Sequence, residues 1–304
     1  MATSAFVNAL PSSVAGRAGR ALGLAFYALD GPHRRLTLDN LAAAFPQRSA
    51  REIGRTGREV FEHFGRLLVE LLRFSRLSPS EMAAACEIVG ADRAERARQR
   101  GRGVLFVTGH FGFWEMQALV HGAVFWPVTV VARPLDNPLL HDLLERVRTS
   151  TGNRVIYRRG ALRRIMRALQ ANEGVAVLID QHIQPADALV VDFFGRPVAA
   201  TSAVATLAWR TGVPVVPVFA LPLGAGRFRL VYEPPVDPPQ DGSPEALRDF
   251  TQRCTDVLEM YVRRHPSLWL WMHRRWRDDV GPAPARGMFP PGKVEEADPD
   301  GSGR

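Results

Sequence analysis

Val104-Leu105-Phe106-Val107-Thr108-Gly109-His110-Phe111-Gly112-Phe113-Trp114-Glu115 is an apolar β-rich run that enters a glycine-bracketed turn and leaves it in a helical pattern. A strand of this kind is buried on both faces, as in parallel sheets. Downstream, Val128 to Ala132, Val175 to Asp180 and Val213 to Phe219 repeat the texture with helical stretches between them. This alternation predicts an α/β fold with a central, mostly parallel sheet flanked by helices. Phe228 to Tyr232, after the Gly224-Ala225-Gly226 turn, reads as a further strand at an edge. Upstream, Phe61, Phe64, Leu68, Leu71 and Leu72 recur at helical spacing, with breaks near Pro46 and Pro79. The pattern divides the chain into a helical N-terminal region over 1–100, an α/β domain over 101–280, and a Pro-, Gly- and acid-rich tail over 281–304 that is expected to be disordered.

The 304 residues are 46% hydrophobic and 23% charged, which excludes a collagen, a coiled coil and a wholly disordered chain. The two cysteines, Cys86 and Cys254, lie far apart without a CxxC, so a disulfide framework and a structural zinc site are not expected. No run reaches the roughly 20 apolar residues of a spanning helix. The segment 14–29 instead reads as interfacial. Leu22, Leu24, Phe26, Tyr27 and Leu29 could enter a bilayer surface while Arg17, Arg20, Arg34 and Arg35 meet anionic headgroups; the alternative is a helix packed on its own domain.

The net charge of +8 is concentrated: residues 146–167 hold eight Arg and no acid. At the end of that strip and just beyond it, Leu162, Ile165, Met166 and Leu169 alternate at helical spacing with Arg163, Arg164 and Arg167, an amphipathic helix. Either it is a solvated face or it meets an anion, such as a nucleic acid, an anionic lipid surface or an acidic carrier protein.

Catalytic groups of open α/β sheets gather at the carboxyl ends of strands, where His110 stands. On one continuous helix His110 and Glu115 would lie about 140° apart. With His110 in the turn before the helix, the Glu115 carboxylate could fold back to the imidazole and fix its tautomer, leaving the other ring nitrogen as a base toward a hydroxyl. The nucleophile would then come from the substrate, as in a triad lacking its serine. Backbone N–H groups at the start of the helix after Gly112 are the expected oxyanion donors.

Five blocks in order carry a family resemblance. They are Gly109-His110-Phe111-Gly112-Phe113-Trp114-Glu115, Ala132-Arg133-Pro134-Leu135-Asp136-Asn137-Pro138, Asp180-Gln181-His182, Phe193-Phe194-Gly195, and Trp271-Met272-His273-Arg274-Arg275-Trp276. The chain resembles, from about Leu36 to Trp276, the bacterial lysophospholipid acyltransferase-like superfamily, and within it the lauroyl and myristoyl acyltransferases of lipid A biosynthesis. The resemblance implies a glycerol-phosphate acyltransferase-like sheet. It also implies transfer of a fatty acyl chain from an acyl carrier protein or coenzyme A thioester to a hydroxyl of a membrane lipid, most naturally a lipid A precursor, with a lysophospholipid or another glycolipid as alternatives. His110 would be the general base and Glu115 its orienting partner. Arg133, Asn137, Asp180, Phe194, Gly195, His273 and Arg274 would serve substrate binding, Arg133 through an acceptor phosphate. Asp180 could position Arg133 or the acceptor, or be structural.

The resemblance places the protein, as a monomer without metal or other cofactor, at the cytoplasmic face of a bacterial inner membrane. Acyl carrier protein and the anionic lipid surface are then the partners expected to be drawn to the basic strip. Trp269, Trp271 and Trp276 could sit at that interface or in the core. An Arg-rich nucleic-acid-binding protein is the non-enzymatic rival, but no helix-turn-helix, zinc-finger or RNP signature supports it. A Gly-x-Ser-x-Gly elbow, a dinucleotide fingerprint and a Walker A loop are all absent from the sequence.

Overall fold

The computed structural model describes residues 12–157, 161–183, 188–277 and 280. Residues 281–304, read as a disordered tail, lie outside the described residues. The described residues open with helices α1 (Ser12–Leu29), α2 (Gly31–Ala44), α3 (Ala50–Phe74) and α4 (Pro79–Ala84). Ser49 and Ser78 begin α3 and α4 with reciprocal capping boxes to Glu52 and Glu81, which satisfy N–H groups that the first turn leaves without partners. β1 (Cys86–Val89), α5 (Ala91–Gln99), β2 (Val104–Thr108), α6 (Trp114–Val124), β3 (Val128–Ala132), α7 (Pro138–Thr149), β4 (Arg154–Tyr157), α8 (Ala161–Gln170) and β5 (Gly174–Leu178) follow. The hairpin β6 (Ala188–Phe193) and β7 (Arg196–Thr201) comes next, then α9 (Ala203–Thr211), β8 (Val215–Gly224), β9 (Arg227–Tyr232) and α10 (Pro244–Arg264).

Seven strands form one sheet in the order β1-β9-β8-β2-β5-β3-β4, and β6-β7 pair separately. Every pair in the large sheet is parallel except β8 with β9. The fold is therefore the expected mixed, mostly parallel α/β sheet with a helical N-terminal region. Two details differ. β9 was expected at an edge, but it lies between β8 and β1, because Cys86–Val89 is a strand inside the stretch read as helical. Its four residues are too short a run to break a helical pattern on paper.

Parity of the strands assigns the two faces of the sheet. Val104, Phe106, Val216 and Val218 pack with Met116, Leu119 and Val120 of α6. Leu105, Val107, Val175 and Val215 pack with Ile165 of α8, Val204 of α9 and Phe250 of α10. A third cluster joins Leu41 and Val60 of the N-terminal helices to Val191 and Phe193 of the hairpin and to Trp269 and Trp271, both fully buried. These two tryptophans are thus core residues, not interface anchors.

α1 packs on α3 through Gly19, Gly23 and Gly65, where a Cβ would run into the facing backbone. Arg20 crosses the same contact to the buried Glu62 at 2.9 Å. The helix is therefore packed on its own protein, while Leu22, Phe26 and Leu29 on its outer side stay exposed. Among the described residues no helix is long and apolar enough to cross a membrane.

Candidate active site

The parallel register of β2 with β5 builds the site. Thr108 pairs with Leu178, so His110 and Asp180, each two residues farther on, meet just beyond the carboxyl ends of adjacent central strands. His110 Nδ1 lies 2.8 Å from Asp180 Oδ1. The other carboxylate oxygen accepts the His110 backbone N–H at 2.7 Å and the Trp269 indole N–H at 2.8 Å. Three donors thus hold a carboxylate that is 1% exposed. Gly109 makes room for it, since a Cβ there would fall 2.9 Å from Asp180 Oδ2 and from Leu258.

Burial alone favours the neutral acid, but the His110 charge and hydrogen bond, with His273 and the His110 N–H, hold the Asp180 carboxyl well below the usual carboxylate range. Burial would likewise depress the imidazole, yet the charge and hydrogen bond of Asp180, helped by Glu115 and opposed by Arg148, raise His110 above its ordinary value. With Nδ1–H donating to the carboxylate, Nε2 is the acceptor nitrogen. It lies 3.5 Å from Gln181 Nε2, and the Trp114 ring stands edge-on to the imidazole at 5.4 Å. The ring is 13% exposed, so it is not sealed by packing.

Glu115 does not orient His110 by a hydrogen bond. Its two oxygens take the Arg148 guanidinium at 2.9 and 2.5 Å in a bidentate pair, drawing the carboxylate toward α7. Asp180 holds the place expected for Glu115 and was read only as a substrate-side or structural residue. Just before the helix, the Gly112 N–H donates to Leu268 O at 2.8 Å and that of Phe113 to Ala220 O at 3.0 Å, so neither of these two is an oxyanion donor. The turn is fixed from behind by His63, whose Nε2–H reaches Gly112 O at 3.2 Å. Burial pushes that imidazole down to about 4, so it is neutral.

A cavity of about 910 Å³ opens beside His110, toward the upper end of the roughly 300–1,000 Å³ common for ligand pockets. Of the residues expected from sequence, His110, Glu115 and Arg133 line it. Arg133 is 70% exposed and has Asp136 at 3.4 Å. Asn137 instead caps α7, accepting from Leu139 and Leu140 N–H. Phe194 and Gly195 form the two-residue turn of the β6-β7 hairpin, both at positive φ, which is the turn chemistry a tight hairpin demands. The Phe194 ring packs on Phe45 and Trp271, away from the cavity.

His273 lies behind Asp180, with Nδ1 2.5 Å from Leu270 O and Nε2 3.2 Å from Asp180 O. Arg274 is exposed and outside the cavity, whereas Arg275, 1% exposed, donates to Gln181 O and Ala199 O. Sequence reasoning missed the roles of Trp269, Gln181 and Arg148. Only Gln181 carried a signal, as the second residue of the Asp-Gln block.

A His–Asp pair thus stands at the carboxyl edge of an α/β sheet, where such sheets place their ligand sites, beside a largely apolar cavity. The family model of bacterial lipid A biosynthesis acyltransferases matches residues 1–278, and the chain belongs to that family, whose members transfer acyl groups to lipid. It is 28% identical over 240 residues to a lipid A biosynthesis palmitoleoyltransferase of Escherichia coli (strain K12), covering 78% of this chain and 76% of that protein. It is 27% identical over 280 residues to a lipid A biosynthesis lauroyltransferase of the same organism, covering 91% and 90%. Among solved structures, a 1-acyl-sn-glycerophosphate acyltransferase of Thermotoga maritima aligns with a TM-score of 0.38 and 17% identity, over 81% of this chain and 97% of that one.

Proposed function

We propose that the protein transfers a fatty acyl chain from a carrier thioester, acyl carrier protein or coenzyme A, to a hydroxyl of a lipid A precursor at the cytoplasmic face of a bacterial inner membrane. The observation that carries this reading is His110, held at Nδ1 by a buried carboxylate and presenting Nε2 to the cavity. The acceptor O–H gives its proton to Nε2 while its oxygen bonds to the thioester carbonyl carbon. The tetrahedral oxyanion then collapses, the C–S bond breaks, and the leaving thiolate takes the proton from His110. A positioned base of this kind contributes about 10² to 10⁴ in rate. The Asp180 carboxylate stabilises the imidazolium formed in the first step.

The deep part of the cavity lies against Phe106, Val128 and Val130, with His121 and Tyr232 hydrogen-bonded to each other at its end, and suits the donor chain. Leu135 and Leu162 line the cavity and are exposed, Arg163 and Arg164 follow Leu162 on the exposed side of α8, and Leu139, Leu140 and Leu143 of α7 are exposed as well. That rim supports docking on an anionic lipid surface. The test incubates the purified protein and membranes with a labelled acyl carrier thioester and identifies the acylated lipid by mass spectrometry. Label should enter a lipid A precursor and be lost in His110→Ala; an undiminished rate in that variant would end the proposal.

A further inference from the structure

The cavity has a shape that one acyl chain does not account for. Val130 and Ala176 point to the α6 side of the sheet, and their chain neighbours Val131 and Val177 point to the α8 and α9 side, yet all four line the same space. The cavity therefore folds over the carboxyl ends of β3 and β5 and has a lobe on each face, with His110, Arg133 and Gln181 at the junction.

The lobes differ in how they end. The α6 lobe is closed by buried Phe106, Val128, His121 and Tyr232, the last two joined by a 2.7 Å hydrogen bond. The opposite lobe, walled by Ile165, Val177, Thr206 and Leu207, runs out to Leu162, 58% exposed, and to exposed Ala203. A donor chain arrives on a carrier and must be wholly enclosed. An acceptor lipid remains in its bilayer and needs a lobe open at the side, here bordered by the exposed Arg163 and Arg164.

On the reading of the function given above, we infer that the lobe between the sheet and helices α8 and α9 binds an alkyl chain of the acceptor lipid. Two hydrocarbon chains then lie on opposite faces of one sheet, and their reacting ends meet at His110.

The test photolabels the His110→Ala protein, which needs no turnover, with a lysophosphatidic acid bearing a diazirine at its chain end, in phosphatidylethanolamine–phosphatidylglycerol vesicles. Adducts are expected on α8, β5 and α9, and Thr206→Phe and Ala161→Phe, from two different elements, should each reduce them roughly tenfold, the effect of displacing about two methylenes. In otherwise native protein, Thr206→Phe should raise the KM for a bacterial lipid extract relative to the KM for the thioester, and Ala118→Phe in the α6 lobe should do the reverse. Thermal melting establishes that each variant is folded. Adducts confined to α6 and β3, or outside the cavity, would overturn the assignment. Labelling as expected in the variant, with no acyl transfer by the wild-type protein, would instead refute the proposed reaction.

Discussion

Replacing Asp180 by Asn tests the site through the count of its donors. The carboxylate receives two N–H groups on Oδ2, from His110 and Trp269, and one on Oδ1, from the imidazole. An amide has one oxygen and one NH₂. Placing the NH₂ at the Oδ2 position would oppose two donors, so the oxygen belongs there and the NH₂ faces Nδ1. Nδ1 must then accept, and the ring proton moves to Nε2, the nitrogen that takes the acceptor's proton in the proposed mechanism. The variant folds around the same contacts with the wrong tautomer and without the charge that stabilises the imidazolium. The expected loss is about 10³ to 10⁴ in kcat, or roughly 4 to 5.5 kcal/mol of barrier. Steady-state transfer from a labelled thioester, with a melting curve on the same sample, measures both. A kcat within tenfold of wild type, or a larger fall in Glu115→Gln than in Asp180→Asn, would refute the assignment of Asp180 as the orienting group.

Glu115→Gln should act chiefly on stability. Glu115 and Arg148 are 12% and 14% exposed, and removing one partner of such a pair costs about 3 kcal/mol, read as a lowered Tm with less than about a tenfold change in kcat. The pH profile of kcat should rise through a pKa above the ordinary histidine value of about 6.5, since His110 is raised and acts deprotonated. The pair's contribution to stability runs the other way. The raised histidine stabilises the fold below about pH 6.5 and loses that as pH rises through its folded pKa, while the depressed Asp180 contributes above about pH 4 and loses it on acidification. Melting curves across pH should show that window shrink in Asp180→Asn. Gly109→Ala should reduce kcat by at least about tenfold, because its Cβ reaches Asp180 and Leu258 at 2.9 Å; unchanged kcat with unchanged Tm would show that the pair tolerates displacement.

The strands that carry the site were legible, and so was His110, because an apolar run ending in a glycine-bracketed histidine depends only on neighbours in sequence. The partner was not. Glu115 is five residues away and Asp180 seventy, and only the adjacency of β2 and β5 makes the distant residue the nearer one. His110 and Asp180 each follow their strands by two residues, a signal that becomes usable once strand order is known. Phe194 and Gly195 show the opposite error. The block is specific, but what it specifies is a tight turn that demands positive φ and a ring buried under Arg263 at 4.3 Å. Arg274 and Arg275 cannot be told apart on paper, since in an irregular segment neither period decides which side chain turns inward.

The C-terminal block then takes on a physical role that its composition hides. The Trp269 indole donates to the Asp180 side chain, Arg275 donates to the Gln181 carbonyl, and the His273 ring packs behind Asp180, so one short segment fixes residues 180 and 181 from behind. Asn40 of α2 donates in turn to Trp271 O and His273 O, which ties this segment to the N-terminal helices. Arg275 is buried without a carboxylate in hydrogen-bond reach among the described residues, and burial lowers it to about 10 against the opposing charge of Asp180. A cation placed there at such cost compensates the buried carboxylate at longer range while leaving all three of its hydrogen-bond donors in place. Asp180 can thus stay ionised and still keep its oxygens for His110 and Trp269, which is what a fixed Nδ1–H tautomer requires.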